Sequence, residues 1–119
     1  MKHPKKNSRR ISETVFRGRK MSYSFEVFPI DTEFEQIPAV YVISKRKIDP
    51  KGKGHHSLIC IGQTVSIAKE IKQHKKEKIV KKFSANVVSL LVSDEEKERL
   101  KIEADLKEAH AIPCLHSDR

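Results

Sequence analysis

Two short apolar runs constrain this chain more than anything else in it. Residues 39–44 read AVYVIS and residues 57–62 read SLICIG. Both are rich in strand-forming side chains. The segment between them, 45–56, is lysine-rich, holds Asp49-Pro50, Gly52 and Gly54, and shows no helical period. It predicts a turn or a long hairpin loop. Two strands joined without a helix pair antiparallel, so a hairpin is expected at the centre of the fold.

The rest follows from periodicity. Residues 22–30 alternate through Tyr23, Phe25 and Val27 and fit a short strand, ended or held at an edge by Pro29. Residues 31–36 are polar and acidic and read as a loop. After Thr64 or Ser66 as cap, Ile67, Ile71, His74 and Lys78 share one face of a helix over about 66–81. Residues 85–92, ANVVSLLV, read as a buried strand. Ser93 and Glu96 form a capping box for a last helix running to about 111, where Pro113 stops it. The expected core is an α/β (α+β) sandwich: a small three-stranded, mainly antiparallel sheet with helices, in the order β-β-α-β-α. There is no internal repeat.

At 119 residues the chain is one domain. Residues 1–20 read as a flexible basic arm, and 21–119 as the folded unit. No run reaches the ~20 apolar residues of a bilayer span, and the basic N-terminus lacks the apolar stretch of a secretory signal. Cys60 and Cys114 are too few for a disulfide framework, so a reducing, cytoplasmic setting is expected. Cys60 reads as a buried thiol. Spacings among His110, Cys114 and His116, or at His55-His56, match no standard zinc module.

The net charge of +9 is clustered. The arm carries eight bases, Arg9 and Arg10 among them, against Glu13. Residues 69–82 carry seven lysines against Glu70 and Glu77. Clustered cations suit a polyanion, so DNA or RNA is the expected partner, through Lys69, Lys72, Lys75, Lys76, Arg9 and Arg10. A membrane partner is not expected. A protein partner, bound through the acidic last helix, is the alternative.

Several positions together resemble the GIY-YIG nuclease domain. Ala39-Val40-Tyr41 resembles its first tripeptide and Cys60-Ile61-Gly62, extended by Gln63-Thr64, its second. Residues 66–74 resemble the helix that ends in a histidine, here His74. Arg99 and Glu103-Ala104-Asp105-Leu106 resemble the last helix. The resemblance implies phosphodiester hydrolysis with one divalent cation, Mg²⁺ or Mn²⁺, held by Glu103. It makes Tyr41, His74 and Glu103 the catalytic candidates, with Gly62 structural at the strand-to-helix turn. The pattern is broken in two places. Cys60 stands at the second tyrosine and Glu70 at the helix arginine, which inverts a charge that should stabilise phosphate. The resemblance therefore implies a degenerate site that binds nucleic acid with little or no cleavage. An active divergent endonuclease is the rival reading, with Lys69 or Lys72 supplying the missing cation.

Overall fold

The computed structural model describes residues 10–114. Its elements are β1 (Ser12–Arg17), β2 (Ser22–Pro29), β3 (Ala39–Ile48), β4 (Gly54–Thr64), α1 (Ile67–His74), α2 (Lys78–Lys82), β5 (Val87–Val92) and α3 (Glu96–Ala109). The strands form one antiparallel sheet in the order β1-β2-β5-β3-β4.

The 39–44 run lies in β3, between β5 and β4, and every one of its residues is buried. Strand alternation divides it between two cores. Ala39, Tyr41 and Ile43 face a layer that includes Ile67 and Ile71 of α1 and Val80 of α2. Val40 and Val42 face the opposite layer, with Ile102 and Leu106 of α3. The sheet is thus covered on both faces. Full burial of a side chain such as Leu106 contributes about 2 kcal/mol.

The expected three-stranded sheet is corrected to five strands. β2 is an interior strand, and β1 adds an edge at residues assigned to the flexible arm. β1 has one deeply buried apolar side chain, Phe16, whose ring meets Phe25 edge-on at 5.3 Å. Pairing with β2 orders it, and its own composition carries little of that signal. Residues 1–9 of the expected arm lie outside the described residues.

Three boundaries also differ. The loop expected over 45–56 is mostly strand, with a tight turn at 49–53. There Asp49 Oδ1 accepts from the amides of Lys51 and Lys53, at 2.9 Å each, and Gly52 takes φ +87°. The expected single helix over 66–81 is broken at 75–77, where Glu77 turns back to His74 Nδ1 at 2.8 Å. A continuous helix would stack lysines at i,i+3 and i,i+4 through this stretch. Ser93 does not pair with Glu96; its hydroxyl donates to Glu98 at 2.6 Å. Finally, Cys60 and Cys114 are joined by a disulfide, contrary to the expectation of free thiols. The chain brings them together across 54 positions, a proximity that cysteine count cannot reveal.

Asp105 of α3 staples the β1–β2 turn. Its carboxylate accepts from Lys20 N at 2.9 Å, Met21 N at 3.1 Å and Tyr23 Oη at 2.7 Å. The Tyr23 hydrogen bond, then the turn amides, hold the Asp105 carboxyl below its ordinary 3.8. Burial, followed by the hydrogen bond and charge of Asp105, pushes Tyr23 up to about 12. A lowered acid stabilises the fold above the unfolded value, and this is lost as pH falls through the folded one. A raised phenol stabilises below 10.0 and loses its effect between 10.0 and about 12. Urea midpoints against pH should therefore fall at both ends. Asp105→Asn should flatten the acid limb and Tyr23→Phe the alkaline limb.

No helix among the described residues is long and apolar enough to cross a membrane.

Candidate functional site

Tyr41 and His74, two of the three catalytic candidates, do meet. Tyr41 Oη donates to Glu70 Oε2 at 2.7 Å and lies 2.7 Å from His74 Nε2. Glu70, the apparent charge inversion, is thus the hydrogen-bond partner of the phenol. Tyr41 is 1% exposed and His74 wholly buried. This is a satisfied polar cluster under α1, with its reactive atoms covered.

Glu103 lies elsewhere. It sits on α3, which packs against β4, β3 and β1 on the face opposite Tyr41. Its carboxylate pairs with Lys107 Nζ at 3.2 Å, one helical turn on. Tyr41 and Glu103 share no cleft, because odd and even positions of β3 face different layers. The expectation of one catalytic centre built from Tyr41, His74 and Glu103 is corrected by this geometry, and with it a Glu103-held Mg²⁺ or Mn²⁺ acting at Tyr41. Gly62 also has a different task from the one expected. It stands directly across from Tyr41 in the β3–β4 ladder, and a Cβ there would strike the tyrosine hydroxyl and lie 2.5 Å from Cζ. Arg99 is a buried tie, donating to Gln63 Oε1 at 2.9 Å and Ser93 O at 3.0 Å.

Of the expected lysines, Lys69 and Lys72 lie on α1 and Lys75 and Lys76 in the break after it, and all four are exposed. Lys72 and Lys75 line a hollow of about 300 Å³ that also holds Asp31 and Glu33, so their field is offset locally. Arg10 is taken up by Glu13 at 3.1 Å and Glu26 at 3.6 Å. Arg9 lies outside the described residues.

A second concavity, more basic than that hollow, is not marked by the motifs. A cleft of about 510 Å³ opens between the far halves of β3 and β4, the end of α2 and the C-terminal segment. Lys45, Lys47 and Lys82 line it with Phe83 and Ser84, and no carboxylate is among the described residues that line it. A β-bulge builds it. Ile43 pairs with Cys60 but Ser44 with Leu58, which leaves Ile59 as the extra residue. Ile59 and Cys60 consequently face the same layer. Alternation beyond Ile43 then brings Lys45 and Lys47 to the cleft. Lys82 Nζ lies 5.7 Å from the centroid of the Phe83 ring, which is 40% exposed. The available sequence signal is the basic triplet Lys45-Arg46-Lys47 and the later basic pair Lys81-Lys82 followed by Phe83, far apart in the chain.

Ser84, which lines the cleft, takes φ +56°. A β-branched side chain is strained there, so Ser84→Val should cost about 1–2 kcal/mol in urea unfolding while Ser84→Gly leaves stability unchanged or raises it.

No family model matches the chain, and no curated protein or solved structure is significantly similar to it.

Proposed function

We propose that this protein binds the phosphate backbone of nucleic acid in the Lys45–Lys47–Lys82 cleft and does not cleave it. The observation that carries this reading is the cleft itself: three ammonium groups, an exposed aromatic ring and, among the described residues, no lining carboxylate. Ammonium groups that meet phosphates release condensed counterions, which makes affinity salt-dependent. An exposed ring beside them offers a stacking surface for an unpaired base. On this reading binding needs neither Mg²⁺ nor Mn²⁺.

The test is fluorescence anisotropy with single-stranded and duplex DNA and RNA at rising salt. Affinity should fall linearly on a log–log plot. No binding at low salt, or binding indifferent to salt, overturns the reading. Phe83→Ala should weaken single-strand binding about tenfold, or about 1.4 kcal/mol, and leave duplex binding nearly unchanged.

A further inference from the structure

Below α1, a different set of residues meets. Cys60 Sγ, Cys114 Sγ and a ring nitrogen of His74 all lie within 4.8 Å of one another, and all three residues are buried. We propose that, with the Cys60–Cys114 bridge reduced, these three side chains bind a zinc-class divalent cation.

The donor set is that of a Cys₂His zinc site, with thiolates about 2.3 Å and imidazole nitrogen about 2.0 Å from the metal. Tetrahedral ligation at those lengths puts donor atoms about 3.7 Å apart, inside the observed spread once the sulfurs separate. Three protein ligands leave a fourth position, which water fills in sites of this kind. The surroundings suit it as well. Glu77 Oε1 lies 2.8 Å from His74 Nδ1, and Glu70 Oε2 lies 3.4 Å from Nε2. If Nε2 turns to the metal it leaves Tyr41 Oη, and Nδ1 keeps the Glu77 carboxylate; if Nδ1 turns, Nε2 keeps Tyr41 Oη at 2.7 Å, itself bonded to Glu70, and either partner orients the imidazole. Two thiolates and one divalent cation together are neutral, which suits a closed site. The elements that supply the ligands are independent: Cys60 from β4, His74 from the end of α1, and Cys114 beyond α3, where its amide donates to Ile59 O at 3.1 Å.

The two states exchange by balanced chemistry. A phosphine and one water convert the disulfide to two thiols and a phosphine oxide. The thiols give up two protons as the cation binds. In reverse, hydrogen peroxide and two protons take two electrons from the paired thiolates, which leaves the disulfide, two waters and the free cation.

The experiment is a Co²⁺ titration of the full chain after anaerobic phosphine reduction, with the oxidised chain in parallel. One equivalent should give thiolate-to-cobalt charge-transfer absorption and tetrahedral visible bands, and Zn²⁺ should abolish both. The oxidised chain should give neither. Cys114→Ser and His74→Gln should each weaken binding at least tenfold. His74→Gln removes a buried group, so thiol counting on the reduced wild type serves as the second readout: Zn²⁺ should protect both thiols from a disulfide reagent. A reduced chain that shows no cobalt bands overturns the proposal. Bands that survive Cys114→Ser unchanged also overturn it, as do thiols that react equally with and without Zn²⁺.

Discussion

Replacing Lys45, Lys47 and Lys82 together by glutamine should weaken nucleic-acid binding roughly 500-fold at about 0.1 M salt. The figure follows from counterion release. Each duplex phosphate contact contributes about 0.9 to the slope of log affinity against log salt, so three contacts contribute about 2.7. At about 0.1 M salt that slope is itself a loss of about 2.7 decades, near 3.7 kcal/mol. The same variant should therefore bind with a visibly flatter salt dependence. Its thermal midpoint should barely move. Lys47 and Lys82 are exposed and Lys45 is half-buried, and surface changes of this kind stay within about 0.5 kcal/mol. Lys97→Gln with Lys101→Gln is the control. Both positions are exposed on α3, across the sheet from the cleft. If the control loses as much affinity as the cleft variant, binding is diffuse and the cleft is not its seat.

The second large effect is on stability. Gly62→Ala should destabilise the fold by about 3 kcal/mol, at the upper end of overpacking costs, and lower the melting temperature by roughly 15 °C. The reason is local. Tyr41 lies directly across the ladder from Gly62, and its ring covers the place a Cβ would occupy, with Cζ 2.5 Å and Cε2 2.9 Å away. The ring cannot swing clear. It is 1% exposed, and its hydroxyl is held 2.7 Å from both Glu70 and His74. Tyr41→Phe removes the nearest clashing atom but also the hydrogen bonds to part-buried Glu70 and buried His74. The double variant should therefore cost less than the two single changes summed, since the residues touch. Calorimetry or urea unfolding of the four proteins measures that coupling. An additive cycle would mean that Gly62 is required for something other than room for Tyr41.

Part of this molecule is legible in its motifs and part is not, for reasons visible in single residues. Tyr41, Gly62, Glu70 and His74 were singled out, and all four belong to one buried neighbourhood. Glu103 was joined to them through its place in the chain order of a family pattern. Chain order does not say which face of the sheet α3 covers. Linear charge density points to the lysines of residues 69–76 but cannot register Asp31 and Glu33 arriving beside Lys72 and Lys75. Lys45 and Lys47 were set in a loop because Asp49-Pro50 and two glycines suggested a longer turn than the one that forms.

Local chemistry alone specified what depends on neighbours in sequence. The central strand at residues 39–44, the β3–β4 hairpin, the serine cap of α1 and the arrest of α3 before Pro113 all follow from side-chain period, turn residues and caps. Tertiary structure decided what depends on distant pairing. The edge strand β1, the bulge at Ile59, the Cys60–Cys114 bridge, the split of Tyr41 from Glu103 and the basic cleft each arise where segments remote in sequence meet. Their energies come from burial and hydrogen bonds shared across those meetings. No window of a few residues contains both partners, so none could show them.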